Sequence, residues 1–280
     1  METNQYTLPS HDQLGSFREA VWANYREQGR TFPWRHIDNS WGVLLSEVML
    51  QQTQTIRVIP YWLRWMEKWP TPEALASASM DEVLREWAGL GYNRRGRYLK
   101  LAAETITADF HGQVPRSLEE LRTLPGIGPY TAGAILCFAY NEPVIFIETN
   151  IRSALLHFFF QDEKKVPDSQ LLPILEQTLD RQNPRLWYYA LMDYGAQLKK
   201  ITPNPSRRSA HYSRQSPFKG SLREARGFIV RALAEKGPTS LESLAASTTI
   251  SYERLKTALE SLQKEQMVAE QSGLYHIQHS

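Results

Sequence analysis

The segment Leu124–Gly133, which reads Leu-Pro-Gly-Ile-Gly-Pro-Tyr-Thr-Ala-Gly, is the feature that most restricts how this chain can fold. It joins an amphipathic stretch to a second apolar stretch, and its two glycines flank one aliphatic residue, Ile127. Because glycine adopts positive φ at little cost, Gly126 and Gly128 permit a very tight turn between two helices. Backbone N–H groups at the start of the second helix are then placed to donate to a phosphate oxygen. The alternative is an ordinary turn between helices that binds nothing.

Apolar residues recur at helical spacing along most of the chain, and proline and glycine separate the periodic stretches. This pattern predicts a mostly α-helical protein. The predicted helices of the first 200 residues cover 12–29, 41–67, 73–89, 93–110, 117–124, 129–140, 150–160, 168–180 and 184–198.

The composition changes after residue 200. A stretch rich in Pro, Ser and Arg at 201–219 lacks apolar periodicity and predicts a basic linker. Helices are predicted at 220–235, 240–246 and 251–264, and alternation over 267–277 predicts a β-hairpin. Three helices closed by a hairpin resemble a winged-helix domain over 220–280, with 251–264 as recognition helix. A small structural or protein-binding domain is an equally good interpretation.

Composition excludes several classes of protein. The formal net charge is only +2, so any affinity for nucleic acid has to come from local basic surface. Cys137 is the only cysteine, which excludes an internal disulfide and a cysteine-ligated metal or iron–sulfur site. There is no signal-peptide pattern and no apolar run of about 18 residues. We therefore expect a soluble, cytoplasmic protein, associated with the nucleoid if bacterial, with no membrane partner.

Five sequence blocks carry a resemblance to a known family. They are Phe32–Arg35 (Phe-Pro-Trp-Arg), Ser46–Gln54 (Ser-Glu-Val-Met-Leu-Gln-Gln-Thr-Gln), Gly89–Arg94, the Leu124–Gly133 turn, and Phe146–Arg152. Their order and spacing closely resemble the adenine DNA glycosylases of the helix-hairpin-helix superfamily, the MutY family, over residues 12–198. The Ser46–Gln54 block is highly specific, whereas the hairpin is shared with the endonuclease III relatives. The resemblance implies a two-lobed core over 1–200, with a six-helix barrel lobe at about 32–145 and a second lobe made of the N-terminal helix and about 146–200.

Two carboxylates suit the cleavage of an N-glycosidic bond. That reaction needs an acid to protonate the departing base and a fixed carboxylate for the oxocarbenium-like sugar. Glu47 lies within an otherwise apolar helical run, where an acid is either paired structurally or functional. Glu148 follows an apolar run and precedes a helix whose positive end favours its ionised form. A simple helix-capping role is the alternative for Glu148. By resemblance, Glu47 protonates the base and Glu148 occupies the position of the catalytic aspartate.

The resemblance also implies residues that bind DNA. The residues expected to enter the base stack are Gln51 and Tyr92, those lining the base pocket are Trp34 and Arg35, and those contacting the DNA backbone are Arg94 with its neighbours Arg95 and Arg97, together with Gly126, Gly128 and Thr131 of the hairpin. Tyr130 occupies the position of the Schiff-base lysine of bifunctional relatives, and a tyrosine cannot form that imine. The expected enzyme is therefore monofunctional, with Tyr130 near the pocket or the attacking water.

The chain departs from the family pattern in three ways. Glu148 replaces the family's aspartate, and a displacement of about 1 Å can cost on the order of 100-fold in rate. Lys199, Ser206 and Ser209 stand at or near positions where the family has cysteines of a [4Fe–4S] cluster, so no cluster is expected. The segment over 220–280 stands where the family has a domain that reads oxidised guanine. A monovalent or divalent cation at the hairpin is the one cofactor left open.

These observations predict a clusterless, monofunctional DNA glycosylase that removes a mispaired or damaged base, adenine above others. Its expected partner is double-stranded DNA with a lesion or mismatch, and a monomer is expected. A mismatch thymine or uracil glycosylase is the enzymatic alternative. A non-catalytic protein that binds damaged DNA is the alternative from another class.

Overall fold

The computed structural model describes residues 8–214 and 217–278. Residues 1–7 of the predicted core, Gln215 and Ser216 of the predicted linker, and the last two residues lie outside the described residues. The helices are α1 (His11–Gln28), α2 (Ser40–Leu50), α3 (Thr55–Lys68), α4 (Pro72–Ala76), α5 (Met80–Trp87), α6 (Arg94–Asp109), α7 (Leu118–Thr123), α8 (Pro129–Tyr140), α9 (Thr149–Phe159), α10 (Asp168–Thr178), α11 (Pro184–Ile201), α12 (Leu222–Lys236), α13 (Leu241–Ala246) and α14 (Tyr252–Lys264). Strands β1 (Val268–Gln271) and β2 (Leu274–Ile277) follow, and short 3₁₀ helices cover Pro33–Arg35 and Pro205–Arg208. Among these described helices, none is long and apolar enough to cross a lipid bilayer.

The first of two compact units comprises Met1–His36 and Gly128–Arg214. Its core is aromatic: the fully buried Phe17 of α1 contacts Trp187 of α11 edge to face, with ring centroids 6.3 Å apart. Helix α8 belongs to this unit, although we expected residues 32–145 to form one lobe. The physical reason is aromatic packing, because Phe138 of α8 stacks on Tyr189 of α11 with centroids 4.7 Å apart.

The second unit comprises Ile37–Ile127 and Gln215–Ser280. Its first part holds α2–α7, where the predicted helix over 41–67 is wrong because α2 ends at Leu50 and α3 begins at Thr55. The break occurs where Gln52 adopts φ 55°, which a helix does not allow. The predicted helix over 73–89 is likewise two helices, since the Ser79 hydroxyl accepts the Glu82 N–H and caps α5.

The C-terminal part of the second unit has the three helices and the hairpin that the sequence predicts. Strands β1 and β2 pair antiparallel with Val268 opposite Ile277. Helix α12 packs against α5, where Met80 and Leu84 share one apolar cluster with Ile229 and its buried neighbours. The Arg85 guanidinium donates two hydrogen bonds, 3.0 and 3.2 Å long, to the Ala234 carbonyl.

A pair of glycine substitutions tests the packing of α11. A Cβ on Gly195 would overlap the backbone carbonyl of Asn150, so Gly195→Ala is expected to lower the free energy of unfolding by about 2 kcal/mol. A Cβ on Gly227 of α12 meets nothing within 4 Å, so Gly227→Ala is expected to raise it by about 0.5 kcal/mol. Urea unfolding measures both, and a Gly195→Ala protein as stable as wild type would contradict the close approach of α11 and α9.

Candidate functional site

Glu47 is buried in α2, within the second unit. The Asn39 side chain caps this helix by accepting the Gly42 N–H at 3.1 Å. Every residue from Trp41 to Met49 is buried, and Glu47 is only 6% exposed. The helix therefore holds a carboxylate among apolar side chains, as its sequence predicts. Carboxylates are seldom buried without a structural or chemical role.

Glu148 is the N-cap of α9, within the first unit. Its Oε1 atom accepts the backbone N–H groups of Asn150 and Ile151 at 2.6 and 2.9 Å. Its Oε2 atom accepts Nδ2 of Asn150 at 3.2 Å. The helix-capping interpretation of this residue is thus correct in geometry, and it is compatible with a chemical role because the helix end stabilises negative charge.

Charged side chains surround Glu148 and belong to three helices. Lys199 of α11 donates from Nζ to Oδ1 of Asn150 at 2.8 Å. Arg152 of α9 forms a two-bond ion pair with Asp168 of α10, at 2.8 and 2.6 Å. We call this set of five residues the Glu148 cluster: Glu148, Asn150, Arg152, Asp168 and Lys199.

In the Glu148 cluster, burial and neighbouring charges shift the pKa values of the ionisable groups in opposite directions. Burial holds the pKa of the Glu148 carboxyl above its ordinary value, although its two backbone donors and the charges of Lys199 and Arg152 act to lower it. Burial lowers the pKa of Lys199, and the charge of Glu148 opposes that change. The bond to Asp168 raises the pKa of Arg152, and the charges of Glu148 and Tyr130 add to this. Tyr130 therefore lies within electrostatic range of Arg152, one member of the Glu148 cluster.

The hairpin residues have distinct backbone roles. Gly126 has φ 78°, and a Cβ there would lie 2.9 Å from Cβ of Tyr98. Gly128 is the N-cap of α8 with φ −88°, so the positive φ expected of both glycines occurs only at Gly126. A Cβ on Gly128 would meet open space, which leaves the start of α8 accessible. Thr131 is buried, and the Tyr130 ring meets Phe146 edge to face at 5.8 Å.

Trp34 and Arg35 are both buried in the first unit. Arg35 donates from both terminal nitrogens to the Asp193 carboxylate at 2.8 Å, and its guanidinium lies over the Tyr189 ring. Arg30 also bonds Asp193. Although burial opposes it, the Arg35 and Arg30 guanidinium groups hold the pKa of Asp193 below its ordinary value. The structure thus gives Arg35 an internal partner that its sequence did not reveal, and a role in a base pocket stays a prediction.

Arg95 connects two loops of the second unit. Its guanidinium donates to the carbonyls of Val48, Met49 and Gln51 at 2.6–2.9 Å. It also bonds the Thr53 hydroxyl and the Gly91 carbonyl. Arg95 is 9% exposed, and burial lowers its pKa to about 10, so it remains charged near neutral pH. This residue serves the interior rather than the phosphate contact that its sequence suggested, whereas Arg94 beside it is exposed.

Tyr92 receives contacts from the C-terminal part of the second unit. Its backbone has φ 51°, an unusual conformation for an aromatic residue. Its hydroxyl bonds Oε1 of Gln52 at 3.0 Å and accepts from Arg223 of α12 at 2.8 Å. Local sequence spacing gives no signal for Arg223, because its contact joins positions 131 residues apart.

Each unit gathers a different subset of the predicted site. The first holds Trp34, Arg35, Gly128, Tyr130, Thr131 and Glu148, and the second holds Glu47, Gln51, Tyr92, Arg94 and Gly126. Within the second unit, Arg95 brings the loop of Gln51 to the loop before Tyr92. The hydrogen bond between Lys199 and Asn150 was not predicted from the sequence. Its one sequence signal is that Lys199 lies four residues after Gly195 and so on the same helix face.

The segment where the family has cluster cysteines is held by other bonds. Ser206 and Ser209 are buried, and the Arg208 guanidinium donates to the Gln161 and Leu156 carbonyls. The lone Cys137 lies buried in α8 and cannot supply the four thiolates of a [4Fe–4S] cluster. Within residues 8–214 and 217–278, no group of three or more His, Cys, Asp or Glu side chains is arranged to hold a metal ion.

Comparison with known proteins shows which family and which solved structures this chain is similar to. Residues 45–174 match the family described as "HhH-GPD superfamily base excision DNA repair protein". The adenine DNA glycosylase of Mycolicibacterium smegmatis is 47% identical over 129 residues, which cover 46% of this chain and 44% of that protein. The adenine DNA glycosylase of Homo sapiens is 37% identical over 196 residues, covering 66% of this chain and 36% of that protein.

A solved structure, that of a thermostable thymine-DNA glycosylase, is similar with a TM-score of 0.59 at 22% identity, over 66% of this chain and 87% of that one. This likeness confirms the mostly helical fold class that the sequence predicts. The chain spans less than half the length of the two curated relatives it matches.

Replacing Arg95, which is buried, and Arg94, which is exposed, compares how much each side chain contributes to stability. Arg95→Met removes the donor from several buried carbonyls at once, so we expect the free energy of unfolding to fall by at least about 3 kcal/mol. Arg94→Met removes an exposed charge that lies 5.6 Å from the Tyr98 ring, with an expected loss below about 1 kcal/mol. Equal losses in urea unfolding would show that Arg95 does not hold the loops.

Proposed function

From the premise that residues 45–174 are an HhH-GPD domain of a MutY-like glycosylase, we propose that the chain is a base-excision-repair DNA N-glycosylase. It hydrolyses the bond between a mispaired or damaged base and its sugar, and adenine is the expected base. The observation that carries this proposal is the burial of Glu47 in the apolar helix α2 inside the matched domain.

In the proposed reaction Glu47 donates a proton to a ring nitrogen of the departing base. A purine leaves poorly as an anion, and protonation converts it into a neutral leaving group. Such transfer contributes about 10²–10⁴-fold to the rate in known enzymes. The surrounding apolar side chains of α2 exclude water that would otherwise compete for the proton.

Glu148 faces the positive charge that develops on the sugar as the base departs. An ionised carboxylate at that position stabilises the oxocarbenium-like transition state. Water then adds to the sugar carbon that the base has left, and the water's proton passes to the solvent. Three hydrogen bonds hold its two oxygens, so the carboxylate is fixed before the reaction starts. Preorganised charge of this kind needs no rearrangement at the moment of reaction.

DNA binding is proposed to use two separate features. Gln51 and Tyr92 enter the space left by the extruded base, which costs the duplex a few kcal/mol to open. Gly128 and Thr131 at the start of α8, with Gly126, bind a phosphate oxygen of the backbone. Arg94 is exposed and suited to a phosphate, while Trp34 and Arg35 are proposed for the base pocket.

The remaining expectations are also proposals. The chain works without an iron–sulfur cluster, and the bonds of Arg208 and the buried Ser206 and Ser209 support this because they occupy the corresponding segment. A cation at the hairpin stays a prediction. We further propose lesion-containing or mismatched duplex DNA as the partner, a monomeric state, and a cytoplasmic location, associated with the nucleoid if the source is bacterial.

A panel of duplexes tests activity and base preference together. The panel pairs A with 8-oxoguanine, A with G, T with G and U with G, and adds hypoxanthine and alkylated purines, with alkali cleavage after incubation. We expect excision of adenine, and we expect Glu47→Gln to slow it by at least about 100-fold because the proton donor is lost.

Glu67→Gln in α3 is the matched control, since Glu67 is exposed, and its rate should equal that of wild type. Cleavage of only the T·G and U·G duplexes would replace adenine by the thymine or uracil alternative. Binding without cleavage of any duplex would favour the non-catalytic alternative and refute the enzyme.

Borohydride trapping tests the absence of lyase activity. Tyr130 has no amine, so we expect no covalent adduct when enzyme, cleavable duplex and borohydride are mixed. Tyr130→Lys supplies an amine beside the charges around Glu148, and we expect a trapped protein–DNA adduct on a denaturing gel. An adduct with the wild-type chain would contradict the monofunctional proposal.

A further inference from the structure

Lys199 is linked to Glu148 through one intermediate side chain. Its ammonium group donates to Oδ1 of Asn150 at 2.8 Å, and Nδ2 of Asn150 donates to Oε2 of Glu148 at 3.2 Å. By resemblance, position 199 is that of the first cluster cysteine. Here it holds a lysine that is linked through Asn150 to Glu148.

The direction of these bonds is fixed by chemistry. A lysine ammonium has three donors and no acceptor, so it bonds only the oxygen of the Asn150 amide. The amide nitrogen must then point to a different group, and Glu148 receives it. Lys199 thereby sets the orientation of the amide that holds Oε2.

Gly195 allows the close helix contact that brings Lys199 within hydrogen-bonding distance of Asn150. The absence of a side chain there lets α11 lie directly against the Asn150 carbonyl. Lys199 follows one helical turn later and so lies on the same face of α11. Lys199 is only partly exposed, whereas the next residue, Lys200, is exposed.

We propose that Lys199 is a positioning residue for the Glu148 carboxylate, acting through Asn150 and through its own positive charge. The inference rests on the proposed function of Glu148 and specifies how the chain orients that group and favours its ionised form. Lys199 does not touch the substrate in this scheme. It favours the charged form of Glu148 against burial, and Glu148 does the same for Lys199.

Other charged groups around the pair have to be considered with it. They are Arg152 on α9 beside Glu148, Asp168 on α10 and His211 beside it, Tyr130 on α8 near Arg152, and Arg30 near Lys199. Asp168 already holds Arg152 in a two-bond ion pair, whereas Lys199 bonds the amide that bonds Glu148. Removal of Lys199 therefore changes both the charge and the hydrogen bonding at Glu148.

The test is a direct titration of Glu148 in the full chain. Glutamate labelled with ¹³C at the side-chain carboxyl gives one NMR signal per residue, and Glu148→Gln identifies the signal of interest. We expect Lys199→Met to raise the pKa of Glu148 by about one unit or more, because an opposite charge is lost. Lys199→Arg keeps the charge and should leave the pKa within a few tenths of a unit of wild type.

Lys200→Met is the matched control, since it removes the same charge from the next position and should not move the pKa of Glu148. Lys199→Gln is a second neutral variant, read in the same way if Lys199→Met does not fold. Equal shifts for a neutral Lys199 variant and Lys200→Met, or no shift in either, would overturn the proposal.

Single-turnover excision against pH provides a functional readout. Excision needs ionised Glu148, so the rate should fall on the acid side, and Lys199→Met should move that fall to higher pH by the same amount as the titration. A role limited to stability would lower the melting temperature without moving this limb. If the wild-type chain excises no base, the proposed function fails, while the NMR titration still decides the role of Lys199.

Discussion

The close contact between α9 and α11 is the constraint on which the first unit depends. Gly195 lies against the Asn150 carbonyl, so the two helices approach more closely there than any side chain would permit. This contact sets the position of Asn150, and Asn150 with its neighbour Ile151 fixes Glu148. Asp193 lies two residues before Gly195 on the same helix and anchors Arg30 and Arg35. One helix therefore positions a carboxylate, its cationic partner and two internal arginines.

In the second unit, the buried guanidinium of Arg95 holds two loops together. Gln52 and Tyr92 both have left-handed backbone conformations, which cost energy in residues other than glycine. Such conformations persist when surrounding bonds determine them, and Arg95 supplies several bonds to the two loops at once. The phenol of Tyr92 is held further by Gln52 and Arg223. The predicted DNA-entering residues are thus held by a framework rather than placed on free loops.

The sequence predicted features that depend on local spacing. The helical class, the C-terminal hairpin and the capping geometry of Glu148 all follow from residues within one or two turns of each other. The break between α2 and α3 was missed because apolar residues keep helical spacing across it, while the Gln51 carbonyl at the break bonds the distant Arg95. The burial of Arg35 was missed because its partner Asp193 is 158 residues away in the sequence. A cation that serves the interior has the same sequence signature as one that faces solvent, and only its partners distinguish them.

The longer side chain at position 148 changes how the second carboxylate is held. Glutamate has one more methylene than the aspartate expected by resemblance, and its Oε1 atom accepts two N–H groups of its own helix. Its second oxygen accepts from the side chain of Asn150, which in turn accepts from Lys199. Burial has the largest effect and raises the pKa of this carboxyl, whereas capping and the charges of Lys199 and Arg152 favour the ionised carboxylate. Arg152 is engaged with Asp168, which leaves Lys199 as the cation whose loss changes the state of Glu148 most.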